Sequence, residues 1–223
     1  MSILKTNLNC FKQNGLYRFD DSLLNIFHQS PSEKEKIMQN FNLRRGTENI
    51  SGISRAALYD YTTDDAYGIN FFLQTGQLRP GARYDSSFYR SFADDVYNAL
   101  NEIPNTEGVF YRQIGFGGAP NSMFHRGKED FINFAKFHQD NIGKVIEYPS
   151  FTSTSLIESS YTPKTPYRGA LMIYGKNGKI IDNYSGYPTE YEALFNAGSK
   201  FRVEDFDWIN DNTFASILSE VDR

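Results

Sequence analysis

Glu190 and Glu192 stand two residues apart in Tyr187-Pro188-Thr189-Glu190-Tyr191-Glu192, directly before the apolar Ala193-Leu194-Phe195. In an extended segment, residues i and i+2 share a face, so the two carboxylates are expected side by side with Tyr191 opposite. Like charges that close repel, and burial raises the pKa of at least one of them. Such a pair does not stabilise a half-buried strand, which makes it a candidate site. Two further features precede it. Arg112 lies within the apolar run Gly108-Val109-Phe110-Tyr111-Arg112-Gln113-Ile114. Its guanidinium cannot be neutralised and needs an anion there, and its planar fork suits phosphate oxygens. Ser153 opens Ser153-Thr154-Ser155. On a strand, Ser153 and Ser155 share a face and can hydrogen-bond a carboxylate, fixing its rotamer, and a fixed carboxylate can stabilise a developing positive charge. Singly, each feature also fits a structural role: Arg112 in a core ion pair, Ser153 and Thr154 as strand formers, Tyr187 as a turn residue beside Pro188. Together and in order, each near a strand end, they favour a site.

The elements that would carry these residues follow from local pattern. Ser32-Glu33-Lys34-Glu35 reads as a capping box before a short helix. Ser54 is placed to cap a helix with Ala56, Ala57 and Leu58. Thr62-Thr63-Asp64-Asp65 reads as a turn with a fresh N-cap, followed by a helix with Ile69, Phe72 and Leu73 that closes near Gly76. Phe88, Phe92, Val96 and Leu100 recur at every fourth position of 86–101, the stripe of an amphipathic helix facing a core. After Pro104, strands are expected at 108–114, 145–148, 151–156, 170–174, 179–184 and 200–203, with one helix through Phe131, Phe134, Ala135 and His138. Lys176-Asn177-Gly178 reads as a hairpin turn. Gly115–Pro120 and Ser159–Pro166 are expected loops. Helices first and strands second make an α+β chain, not an alternating one. Residues 1–50 are expected to form an N-terminal helical lobe or extension, and 51–223 a single catalytic domain.

Composition narrows the class. The net charge of −4 leaves no basic footprint for nucleic acid. No apolar run approaches membrane-spanning length, and no signal-peptide core follows Met1. The expectation is a protein made in the cytoplasm and, if exported, secreted or injected into a host cytosol without a cleaved signal. A lone Cys10 and three scattered histidines, His28, His125 and His138, give no metal-ligand spacing. The stretch after Ile114 lacks the dinucleotide glycine fingerprint and the Walker lysine, which excludes a Rossmann dehydrogenase.

Over roughly residues 50–205 the chain resembles the mono-ADP-ribosyltransferases of the Arg-Ser-Glu class, which include bacterial toxins and injected effectors. The resemblance rests on Tyr111-Arg112, Phe151-Thr152-Ser153-Thr154-Ser155 and Tyr187-x-x-Glu190-x-Glu192. It extends to Ala193-Leu194-Phe195, to Gly198-Ser199-Lys200-Phe201, and to the segment from Ala57-Leu58-Tyr59-Asp60-Tyr61 to Tyr67-Gly68-Ile69-Asn70. It implies two antiparallel sheets set at a steep angle around an NAD cleft, with NAD as co-substrate and no metal. Arg112 would hold an NAD phosphate, with Tyr111, Gln113, Thr154 and Ser155 lining the same cleft. Ser153 would position Glu192, and Glu192 would bond the ribose 2′-hydroxyl and stabilise an oxocarbenium-like cation. Glu190 would contact or deprotonate the acceptor, Tyr187 would meet the target protein, and Tyr161 or Tyr167 would cover the nicotinamide. Glu at position 190 implies an arginine acceptor. The alternatives are a hydroxyl acceptor such as threonine, an NAD glycohydrolase using water, and an inactive binding module of the same fold.

Overall fold

The structure is a computed structural model of the 223-residue chain and describes residues 12–13, 16–17, 50–117, 127–157 and 164–221. The expected N-terminal lobe and capping-box helix fall outside these residues, apart from a short antiparallel pair of β1 (Lys12–Gln13) with β2 (Leu16–Tyr17). Tyr161 also lies outside them.

The helical layer comes first. α1 (Gly52–Asp60) is capped by Ser51, whose hydroxyl accepts the Ser54 N–H at 3.1 Å, so the cap lies three residues before the expected one. The hydroxyl of Ser54 instead bonds Glu102, at 2.5 Å. No turn follows α1. Tyr61–Asp65 form one wide π-helical turn that runs directly into α2 (Ala66–Thr75). The expected break fails because Thr62 and Thr63 direct their hydroxyls back to the carbonyl of Tyr59, at 2.9 and 3.0 Å, and stay in the helix. Gly76 closes α2 in the left-handed conformation, as its position predicts. α3 spans Ser86–Asn101, the span that periodicity gives, and Phe92, Val96 and Leu100 are buried. Phe88 departs from that stripe. It is 37% exposed and stacks on Tyr84 at a centroid distance of 3.9 Å.

The remaining elements are β3 (Thr106–Phe116), α4 (Lys128–Asp140), β4 (Val145–Tyr148), β5 (Thr152–Ser155), β6 (Tyr167–Ile180), β7 (Glu192–Phe195), β8 (Ser199–Asn210) and β9 (Thr213–Glu220). The α+β class stands as expected. The strands, however, form one hydrogen-bonded network in the order β3-β5-β7-β6-β9-β8-β4, with β3 also pairing β6. The first four strands therefore close on themselves. One pair, β6 with β9, is parallel, so the network is mixed rather than wholly antiparallel.

The expected hairpin at Lys176-Asn177-Gly178 is absent. β6 runs straight through it, and Gly175 pairs Gly108 while Gly178 pairs Thr106, which marks a bulge. The Glu220 carboxylate accepts the N–H groups of Lys176 and Asn177 at 2.7 and 2.9 Å, occupying the donors that a hairpin would have turned inward. The two glycines serve packing. A Cβ on Gly175 would meet the Phe195 ring at 2.5 Å, and one on Gly178 the Phe110 ring at 2.3 Å. The turn residues of the sequence pattern are thus seats for aromatic rings.

Two apolar cores result. One lies between α1–α3 and the sheet and includes Leu58, Tyr61, Ile69, Phe151, Ile181 and Leu194. The other lies under α4 and includes Phe110, Phe131, Ala193, Phe195, Phe201 and Phe214. Alternate residues of β7 enter opposite cores, so Glu192, two residues before Leu194, shares the face turned to the helical layer.

A buried polar chain crosses the second core. Ser216 donates its hydroxyl proton to the Asp205 carbonyl at 3.0 Å, so toward His138 Nδ1, also 3.0 Å away, it acts as acceptor. His138 Nε2 is then left to accept the Tyr148 hydroxyl at 2.8 Å. Burial pushes the imidazole down from 6.5 to about 4. The unfolded chain therefore binds a proton that the folded one does not, and stability falls as pH drops from about 6.5 toward 4, by about 3 kcal/mol in all. Thermal melts across this window should show that slope, and His138→Gln should flatten it. An equal slope in both proteins would count against this assignment.

Candidate active site

Glu192 opens β7 and is only 6% exposed. Its carboxylate accepts a short hydrogen bond from the Ser153 hydroxyl and another from the Ser185 side chain. Burial pushes its pKa up from 4.5 to about 7, and the nearby Glu190 charge pushes the same way. The two serine hydrogen bonds and the Arg112 guanidinium oppose that rise. Near neutral pH the group therefore sits between its two protonation states, where small changes in its surroundings decide its charge.

Glu190 reaches Glu192 by a route other than strand alternation. Pro188–Glu190 form a short 3₁₀ turn, and Tyr191 follows in the left-handed conformation at φ 50°, the one non-glycine residue with positive φ among the described residues. A tyrosine held there is strained, and such strain concentrates where surrounding structure dictates the path. The turn brings the two glutamates near each other without placing both on one strand face. Glu190 is half-buried, and burial raises its pKa too.

Arg112 follows β3's alternation. Phe110, Ile114 and Phe116 on its own face are buried, and Arg112 takes the position between them. Its Nη1 donates to the Ser153 carbonyl at 2.7 Å, its one hydrogen bond among the described residues. Its charge lies near enough to Glu192 to bear on that carboxylate. Strand alternation turns Tyr111 and Gln113 to the opposite face from Arg112.

Of the Ser-Thr-Ser run, only Ser153 reaches a carboxylate. Thr154 is 5% exposed and gives its hydroxyl to the Ala193 carbonyl at 2.6 Å, so its expected place in the cleft is corrected to a core position. Ser155 donates to the Glu190 carbonyl at 2.8 Å and accepts the Ile157 N–H at 3.0 Å. It anchors the backbone of the glutamate turn and bonds neither carboxylate. Tyr167 is half-buried, stacks on Phe131 at a centroid distance of 5.2 Å and packs against the second core. Tyr187 is 51% exposed at the lip of the site.

Sequence reasoning missed three residues that the fold brings here. The Tyr61 phenol is buried, and both burial and the Glu192 charge hold its pKa above the ordinary value. Asn70 Nδ2 donates to the Tyr61 hydroxyl at 3.0 Å, while Asn70 Oδ1 is buried without a hydrogen-bond partner. An orphaned buried acceptor suits a ligand with hydroxyl or amide donors. Tyr61 and Asn70 lie in the segment that carried part of the resemblance, but no local pattern distinguishes them from core residues. Ser185 had no signal beyond its closeness to Tyr187. Among the described residues, no group of three or more His, Cys, Asp and Glu is arranged to hold a metal ion, and no helix is long and apolar enough to cross a membrane.

The model of the ADP-ribosyltransferase exoenzyme family matches residues 38–221. The chain belongs to this family. An NAD(+)–protein-arginine ADP-ribosyltransferase, Tre1, of Serratia proteamaculans is 27% identical over 66% of the chain. A second relative, described as a putative NAD(+)–arginine ADP-ribosyltransferase, Mav of Mycobacterium avium, is 30% identical over 66% of the chain. The chain spans 27% and 15% of the lengths of those two relatives. Among solved structures, the ADP-ribosyltransferase Vis of Vibrio splendidus, in complex with agmatine, superposes with a TM-score of 0.64. That match covers 89% of this chain and 90% of Vis at 19% identity, a likeness of fold. Within this ADP-ribosyltransferase fold, Arg112, Ser153 and Glu192 converge where the two cores meet.

Proposed function

We propose that the protein transfers ADP-ribose from NAD to an arginine side chain of a target protein, releasing nicotinamide, and that it acts as a toxin or effector. One observation carries this reading: a buried carboxylate, Glu192, held by Ser153 and lying close to Arg112 in a chain of the ADP-ribosyltransferase exoenzyme family. Arg112 binds a phosphate oxygen of NAD. Asn70 and Tyr61 supply further polar contacts to the same substrate. Glu192, ionised, accepts the hydrogen bond of the ribose 2′-hydroxyl and stabilises the positive charge that develops as the glycosidic bond to nicotinamide breaks, much as carboxylates do in glycoside cleavage. Nicotinamide leaves with the bonding electron pair. The acceptor guanidinium nitrogen forms the new bond to the ribose carbon and gives its proton to Glu190, whose raised pKa favours that acceptance. Tyr187, exposed beside it, meets the target surface. The arginine acceptor is supported by the descriptions of the two curated relatives and by the agmatine complex of Vis. Residues 51–223 form the catalytic domain on this reading, with residues 1–50 an extension.

The test is transfer from labelled NAD into agmatine and into a cell lysate, with modified sites mapped by mass spectrometry. Labelled agmatine and modified arginines are expected. Label on a hydroxyl side chain would overturn the acceptor, and nicotinamide release without any labelled acceptor would point to a glycohydrolase. Arg112→Lys keeps the charge and loses the fork, so the KM for NAD should rise by about tenfold with a smaller change in kcat. Steady-state kinetics check this, and an unchanged KM would remove Arg112 from phosphate binding.

A further inference from the structure

We infer that Ser185 is a positioning residue for the transfer, its single hydroxyl tying the Glu192 carboxylate to the loop that presents Tyr187 and Glu190. The inference rests on the reading of Glu192 as the reacting carboxylate. Ser185 is only 9% exposed. Its Oγ accepts the Tyr187 N–H at 3.0 Å, while its proton goes to Glu192. A hydroxyl has one proton, and here it is committed to the carboxylate while a lone pair holds the loop.

The backbone fixes that hydroxyl in place. The Ile181 N–H donates to the Glu192 carbonyl at 3.0 Å, and the Ile181 carbonyl accepts the N–H groups of Tyr184 and Ser185 at 2.8 and 3.0 Å. One residue, directly after the end of β6, thus sets both Glu192 and Ser185. The next residue is pinned from the helical layer. The Gly186 N–H donates to Thr62 Oγ1 at 2.9 Å, and a Cβ on Gly186 would lie 2.2 Å from Thr63 Cγ2. Thr62 adjoins Tyr61, whose phenol feels the Glu192 charge. The segment Ser185-Gly186-Tyr187 therefore bridges the carboxylate, the acceptor loop and the π-helical turn. Ser153 holds Glu192 from β5, but among the described residues it makes no hydrogen bond to this loop. Ser185 does both.

The groups that bear on Glu192 are Glu190 from the turn, Arg112 from β3, Tyr61 from the helical layer, and the hydroxyls of Ser153 and Ser185. Removing the Ser185 donor leaves burial and Glu190 less opposed, so the Glu192 carboxyl should titrate at higher pH. The experiment compares wild type, Ser185→Ala and Ser185→Thr, in two readouts. In ¹³C NMR of glutamate-labelled protein, assigned with Glu192→Gln, the Glu192 midpoint should rise by roughly one pH unit in Ser185→Ala. It should stay near wild type in Ser185→Thr, which keeps the hydroxyl. In transfer to agmatine, Ser185→Ala should move the acid limb of kcat upward by the same amount and raise the KM for agmatine several-fold. The KM for NAD should change less, and Ser185→Thr should restore all three. An unmoved Glu192 midpoint in Ser185→Ala, or equal behaviour of the Ala and Thr variants, would overturn the inference. If wild type cleaves no NAD, the transfer reading fails and the role fails with it, while the NMR titration still decides whether Ser185 holds the carboxylate.

Discussion

Glu192→Gln is expected to remove both ADP-ribose transfer and NAD hydrolysis, with kcat falling at least about 10³-fold, while the folded protein becomes more stable above neutral pH. The two effects share one cause. A buried carboxylate whose pKa is raised from 4.5 to about 7 favours folding when protonated. That contribution is fully present below pH 4.5 and is lost as pH rises through 7, because the ion must then be held out of water. The gap corresponds to about 3 kcal/mol, an upper figure because the glutamine amide gains unpaired donors. At pH 8 the variant should melt about 5 °C or more above wild type, and at pH 5 the difference should shrink toward zero. Wild-type activity should decline below about pH 7 as Glu192 protonates. Full transfer by the variant would remove Glu192 from the chemistry. A stability gap that is the same at pH 5 and pH 8 would mean that burial does not set its pKa.

Glu190→Gln should separate the two activities. Glu190 is only half-buried, and its backbone, rather than its carboxylate, is what Ser155 holds. Its removal therefore leaves the Glu192–Ser153–Arg112 arrangement standing, and it also takes away a like charge that raises the Glu192 pKa. Transfer to agmatine should fall by about 10²-fold or more, as for loss of a general base. Nicotinamide release into water should persist, with its acid limb moved to lower pH. Parallel loss of both activities would tie Glu190 to NAD cleavage rather than to the acceptor. The acid-limb movement separates this variant from Ser185→Ala, which should move it the other way.

Much of the architecture was legible locally. The span of α3 follows from apolar residues four apart, and Gly76 ends α2 because an L side chain is disfavoured at its positive φ. The failures also have local explanations that only non-local contacts reveal. Lys176-Asn177-Gly178 has the composition of a hairpin turn, yet its glycine is there because the Phe110 ring fills the place of a side chain. Phe88 has core periodicity and lies exposed against Tyr84, since helical spacing sets a face and not what covers it. β9 went unread, and its parallel pairing with β6 depends on a strand some forty residues earlier.

By itself, the sequence determined the α+β class, the order Arg112, Ser153, Glu192, and the presence of a second glutamate beside the last. Residue type and short-range spacing carry that information. The tertiary structure decided which of these residues meet and in what electrostatic state. Alternation on β3 separates Arg112 from Tyr111 and Gln113, and the Tyr191 turn brings Glu190 to Glu192 by a path other than the strand face. Tyr61 and Asn70 join the site from elements more than 100 residues before Ser185 along the chain. The pKa of Glu192 belongs to this second category too. Desolvation and charge proximity are properties of what surrounds a group in space, and the two cores that enclose β7 are assembled from both halves of the chain.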